Sequence, residues 1–181
     1  ASKEYELKDL GVKDSKLLTP KKREYLFEKI KSIAEDYKIL IIEPEEIDSY
    51  VNSENKNLNT LEAEKSAQII DELEPDKVYV DCPSPNTKKY KDLLLNLIKD
   101  NNTSIIAEHK ADVRYPVVSA ASLLAKVTRD RIIEEIKKKY GEIGPGYTSN
   151  IITQKFLKEN FDKHPEIFRK SWISFKNHEN A

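Results

Sequence analysis

Two short apolar runs, Lys77 to Cys82 (KVYVDC) and Thr103 to Glu108 (TSIIAE), flank a stretch whose apolar residues recur at helical spacing, and this order constrains the fold most. A strand, a helix and a second strand in sequence is the α/β signature, and a helical crossover is how parallel strands are joined. Each run has an acid at or next to its end, Asp81 in the first and Glu108 in the second. At the carboxyl edge of an open α/β sheet, where ligands bind, Asp81 ends the first strand and Asp112 follows the second within Glu108-His-Lys-Ala-Asp112. Two carboxylates brought to one edge supply the oxygen donors that a hard cation such as Mg²⁺ takes, and a pair of such ions suits phosphodiester hydrolysis. Each acid also has a plainer reading. Asp81 can cap the turn through Pro83 and Ser84, and Asp112 can sit at the positive end of the following helix.

The remaining elements follow the same alternation. Thr19-Pro20 reads as a cap followed by proline at the first helical position, with Leu26, Phe27 and Ile30 at helical spacing behind it. Lys38 to Glu43 (KILIIE) reads as a short buried strand stopped by Pro44, and a helix is expected from Asn59 to about Leu73, where Pro75 closes it. A long helix is expected from Val118 to Tyr140, its first half unusually small-sided, and a short one around Gln154 to Phe161. The polar C-terminal tail is expected to fray. Three strands are few for so many helices, which suggests that the sheet is short of strands.

Composition excludes some classes of function. With 31 basic and 32 acidic residues the formal net charge is -1, so any nucleic-acid face must come from segregation of charge over the fold. No apolar run reaches the ~18–20 residues that span a bilayer, so no membrane partner is expected. The single cysteine, Cys82, cannot form an internal disulfide, which points to a reducing, cytoplasmic setting and a buried thiol. Three histidines without paired spacing argue against zinc, and His109 is expected to be a structural residue or one that supports a site from outside it.

Several short sequences occur in a fixed order: Gly11-Val-Lys-Asp-Ser-Lys16-Leu-Leu-Thr, Val80-Asp81, Glu108-His-Lys-Ala-Asp112, Tyr115-Pro-Val-Val-Ser-Ala-Ala-Ser122, Ala125-Lys-Val-Thr-Arg-Asp130, Gly144-Pro-Gly-Tyr147 and Arg169-Lys-Ser-Trp172. Together they resemble the ribonuclease HII family in its archaeal form, from about residue 8 to residue 175. The resemblance implies an α/β fold with a ribonuclease H-like mixed sheet, flanking helices and a helical C-terminal extension, divided as 1–140 and 141–181. It implies an endonuclease that cuts the RNA strand of RNA/DNA hybrids and ribonucleotides embedded in DNA, with Mg²⁺ or Mn²⁺. Asp81 and Asp112 match the third and fourth of the family's catalytic, metal-holding acids. Tyr147 matches the tyrosine that stacks beneath the sugar, Lys16 a phosphate-holding lysine, and Arg169 and Trp172 a substrate-supporting or structural motif.

The family opens with a strand carrying Asp-Glu-Ala-Gly-Arg-Gly, which supplies the first two acids, and nothing here matches it. The expectation is therefore a sequence truncated at its N-terminus, or one whose missing strands come from another chain; if they belong to the same chain, a monomer is expected. Thr148-Ser-Asn150 also stands where the family commonly has Pro-Ser-Asp. Two other readings remain beside the ribonuclease. One is a non-catalytic module that binds hybrid without cutting it, and the other is a different nuclease or transferase on the same fold.

Overall fold

The structure, a computed structural model, describes residues 4–12, 18–100 and 102–179. Lys16 and most of its motif lie outside them. The chain forms two compact units, residues 1–40 with 62–128, and residues 41–61 with 129–181.

The first unit is built on the expected strand–helix–strand passage. Strands β1 (Lys77–Asp81) and β2 (Ser104–Glu108) pair in parallel, in register from Lys77 opposite Ser104 to Asp81 opposite Glu108. Among the described residues they form the only sheet. Helix α5 (Thr87–Leu97) makes the crossover, started by the Asn86 side chain accepting the Lys89 amide at 2.9 Å. Helix α4 (Leu58–Leu73) contributes Ala63, Ala67 and Ile70 to one core, three and four residues apart on one face. They meet Tyr90, Leu94, Ile98 and Ile105, with Val78, Val80 and Ala107 packed alongside. One face of the strand pair is thereby covered. On strand β1 the alternate residue Tyr79 points elsewhere and lies against the Tyr115 ring, 4.3 Å between centroids.

A second core in this unit gathers α1 (Glu4–Asp9), α2 (Pro20–Ile33) and the first part of α7 (Pro116–Tyr140). Leu26, Phe27 and Ile30 of α2 meet Ala120, Leu123, Leu124 and Val127 of α7. Leu26 and Leu123 are almost wholly buried, which stabilises the fold by about 1.5–3 kcal/mol for each aliphatic side chain taken from water. Thr19 caps α2 as expected, its hydroxyl accepting the Lys22 amide at 3.3 Å.

The second unit contains α3 (Pro44–Val51), the later part of α7, α8 (Ile151–Asn160) and α9 (Ile173–Glu179), with a 3-10 turn at Pro165–Ile167. Its core is aromatic. The Phe168 ring lies 6.0 Å from Phe156 and 6.1 Å from Phe175, which in turn meets Phe161 edge-on.

Three expectations are corrected. Residues 38–43 form no strand and pair with none among the described residues, and Ile41 is exposed; β-branched residues favour strands but do not supply a ladder partner. Helix α4 starts from Asn57, not Asn59, because the Asn57 side chain reaches the Thr60 amide at 3.1 Å. The polar tail forms α9, held by the buried ring of Phe175. No described helix is long and apolar enough to cross a membrane.

Candidate active site

Parallel pairing places Asp81 and Glu108 side by side at the carboxyl ends of β1 and β2. The chain then turns sharply. Lys110 adopts a left-handed backbone at φ 57°, and a four-residue helix, α6 (Ala111–Arg114), begins at once. A side chain with a Cβ pays about 1–2 kcal/mol for that conformation. Tertiary contacts hold it: the Asp81 carboxylate accepts the Ala111 amide at 3.1 Å, and the buried Ser119 hydroxyl donates to the Asp112 carbonyl. The first contact ties Asp81 to the residue immediately before Asp112. Asp81 is thus tied to the turn that carries Asp112; Asp81 is exposed and Asp112 half-buried.

Glu108, also at this edge, is already engaged. Its carboxylate takes the Arg114 guanidinium at 2.7 Å, and the Tyr115 hydroxyl donates to it. The Tyr115 phenol is pushed above its ordinary pKa of 10.0, first by partial burial and then by the Glu108 charge. His109 sits with Nδ1 3.3 Å from the Cys82 carbonyl, so it joins the ends of the two strands, and the buried Cys82 thiol donates to the Ser84 carbonyl at 3.4 Å.

Carboxylate oxygens at a strand edge suit Mg²⁺ or Mn²⁺ in donor type. In number they fall short: among the described residues no group of three or more His, Cys, Asp or Glu side chains is placed to share an ion. Asp81 and Asp112 fit as part of a metal site and not as the whole of one.

The second unit presents Tyr147. The loop before it needs glycine twice. Gly144 and Gly146 have φ of 66° and 72°, and a Cβ on Gly146 would stand 2.8 Å from Ile133 Cδ1 and 3.0 Å from Arg129 Nη2. Both peptide groups of Gly146 are held. Its N–H donates to Thr153 Oγ1 at 3.1 Å, and its carbonyl accepts from Arg129 Nη2 at 3.2 Å. The same Arg129 guanidinium lies 4.1 Å from the centre of the Tyr147 ring, a cation–π contact on a ring that stays 45% exposed. Asn150 closes the loop by accepting the Ile152 and Thr153 amides and so starting α8. Asn in place of the family's Asp therefore keeps the cap. Arg129 had no role assigned from sequence, and its position inside a matching motif was the one available sign.

Arg169 lies over the Trp172 ring, 4.7 Å from its centre. Arg169 is exposed as a residue, but the protein atoms around its guanidinium displace water and pull its pKa below the ordinary value; the Arg129 charge adds to that, and the Asp48 carboxylate opposes it. Asp48 itself accepts from the Lys170 amide at 2.7 Å, the Ser171 amide at 2.9 Å and the Ser171 hydroxyl at 2.6 Å. Nothing in the sequence marked Asp48, which is remote in the chain from the residues it binds.

The comparisons with known proteins bear on nearly the whole of this chain. The family model for ribonuclease HII matches residues 1–175. Ribonuclease HII of Pyrococcus furiosus is 47% identical over 171 residues, covering 92% of this chain and 74% of that protein. Ribonuclease HII of Methanococcus maripaludis is 46% identical over 180 residues, covering 96% of this chain and 74% of its own length. Among solved structures, the crystal structure of ribonuclease H2 from Pyrococcus horikoshii OT3 superposes with a TM-score of 0.88 at 42% identity, covering 97% of this chain and 83% of that one. The ribonuclease HII of Archaeoglobus fulgidus, solved as a complex with PCNA, gives 0.84 at 37% identity, covering 98% and 83%.

Proposed function

This chain belongs to the ribonuclease HII family, and from that premise we propose that it is an endonuclease hydrolysing RNA paired to DNA, including single ribonucleotides embedded in a DNA duplex. The observation that supports the reading is the bond by which Asp81 accepts the amide of Ala111, the residue immediately before Asp112. There the two carboxylates would each give oxygen to Mg²⁺ or Mn²⁺, as two ligands of a larger set. Bound metal ions supply an activated water and charge stabilisation at the leaving oxygen.

The protein's own groups would do the rest. Asp81 is oriented by the Ala111 amide, and Asp112 by the left-handed turn at Lys110 and the Ser119 hydroxyl on its carbonyl. Tyr147, held on one face by Arg129, would offer its ring to the sugar of the ribonucleotide, whose 2′-hydroxyl separates RNA from DNA. Arg169 and Lys16 would hold backbone phosphates, contacts that position a strand without reading its sequence.

The experiment is cleavage of a DNA duplex bearing one ribonucleotide, with Mg²⁺ or Mn²⁺, by the protein and by its Asp112→Asn variant. Cutting beside the ribonucleotide is expected, with a loss of at least ~100-fold in the variant, since even indirect partners of a metal cost about 10–100-fold. Equal cutting of an all-DNA duplex would refute the substrate assignment. Salt-sensitive binding without any cutting would favour a hybrid-binding module instead.

A further inference from the structure

We propose that Asp48 is a positioning residue for substrate, acting through Arg169 and Trp172; this rests on the reading of Arg169 as a phosphate-holding residue. Residues Arg169 to Trp172 form a tight turn, closed by the Trp172 amide donating to the Arg169 carbonyl at 3.2 Å. The two amides inside the turn, those of Lys170 and Ser171, point the same way. Successive backbone N–H groups arranged like this make a concavity that takes an anion. Here the anion is internal, the Asp48 carboxylate of α3. One oxygen accepts from Lys170, and the other accepts from both the amide and the hydroxyl of Ser171.

Three consequences follow from this seat. The turn's backbone is pinned at both central residues, so Arg169 leaves the chain from a fixed point. The Arg169 guanidinium is then steered by the Trp172 ring on which it lies. Trp172 in turn starts α9, its carbonyl accepting the Phe175 and Lys176 amides, so the end of the chain is referred to the same anchor. Asp48 also supplies a nearby negative charge to the Arg169 guanidinium, which feels the positive charge of Arg129 as well. Neither asparagine nor glutamate can replace it. Asparagine turns an N–H₂ donor toward an N–H donor, and glutamate carries the carboxylate one methylene too far.

Trp172 is the chain's sole tryptophan, so its emission reports on this turn alone. The test compares the protein with Asp48→Asn, Arg169→Gln and the double variant, on the duplex bearing one ribonucleotide. Asp48→Asn is expected to raise KM about tenfold, the scale of a lost charge-assisted contact, with kcat changed less than about twofold. The double variant should be no worse than Arg169→Gln alone, and acrylamide should quench Trp172 more readily in Asp48→Asn. Ser171→Ala, which removes one of the three bonds, should move both readouts the same way by less. Multiplying KM effects, a fall in kcat at unchanged KM, or unaltered quenching of Trp172 would each overturn the proposal. A parent protein that does not cut the duplex would sink the ribonuclease reading, while the quenching comparison would still decide whether Asp48 holds the turn.

Discussion

Replacing Gly144 by alanine should destabilise the protein by about 3–4 kcal/mol, more than the same change at Gly146. Both residues adopt a left-handed backbone, and a Cβ there costs about 1–2 kcal/mol by itself. The surroundings separate them. At Gly146 the new methyl would meet the tips of Ile133 and Arg129, side chains that can swing aside, for a total of about 2–3 kcal/mol once the Arg129 bond to the Gly146 carbonyl is weakened. At Gly144 it would stand 2.8 Å from Thr153 Oγ1, 3.0 Å from Asn150 Oδ1 and 3.1 Å from the Thr153 backbone nitrogen. A backbone atom inside a capped helix start cannot swing. The loop has to move, at the expense of the Asn150 cap, typically about 1 kcal/mol, and of the Thr153 hydroxyl's bonds to Ile143 and Gly146, about 1 kcal/mol together. At about 2–4 °C per kcal/mol for a chain of this size, Gly144→Ala should melt roughly 6–16 °C below the parent by circular dichroism. A melting point within ~2 °C of the parent, or a larger loss for Gly146→Ala, would refute this account of the loop.

Three other perturbations test separate parts of the structure. The Asp48 carboxyl is held below its ordinary 3.8: burial is the largest influence and acts upward, but the Ser171 hydroxyl and amide, the Lys170 amide and the Lys170 charge together outweigh it. A lowered folded pKa gives stability that is present above the unfolded value and lost as pH falls through the folded one, so the gap in melting temperature between parent and Asp48→Asn should be constant above about pH 5 and close below pH 4. Tyr90 is pushed from 10.0 up to about 12, first by burial and then by the Glu62 charge, so its contribution should hold below pH 10 and disappear as pH rises through about 12. Tyr90→Phe should flatten that alkaline limb of the melting curve, and an identical limb in both proteins would be the refuting result. Arg129→Lys keeps the charge but loses the planar stack on Tyr147, so kcat/KM on the ribonucleotide-bearing duplex should fall about tenfold with an unchanged salt dependence. Activity within ~2-fold of the parent would separate Arg129 from the action of Tyr147.

How far the chain could be read in advance depended on whether the cause of each element was local. Strands β1 and β2 were legible because their apolar residues lie between turn-forming and helical stretches, and the crossover helix makes them parallel neighbours. The run KILIIE is as apolar and pairs with no strand among the described residues, since pairing needs a second chain segment at the right place and composition carries no such information. Asn57 and Asn59 are both acceptable caps by type; the choice between them is made by which side chain reaches an amide. Helix α9 looked like a loose tail because the buried side chain that anchors it among the described residues, Phe175, is a single ring, which produces no periodic pattern.

The same division separates the site's residues. Asp81 and Asp112 could be singled out because strand ends and the turn after them are set by nearby sequence, and the two glycines before Tyr147 announce a loop that holds a ring at the surface. Arg129 and Asp48 act across gaps that the sequence does not close: Arg129 binds a carbonyl 17 residues on, and Asp48 an amide 122 residues on. Each is an ordinary charged helix residue by composition and becomes specific only through the partner that folding delivers. Charged side chains satisfied by backbone groups are therefore the class most easily missed in this chain. They are also where substitutions that keep size and polarity, Asp48→Asn and Arg129→Lys, should be most informative. In both cases what is lost is the geometry of acceptance or donation, while the neighbouring apolar packing stays as it was.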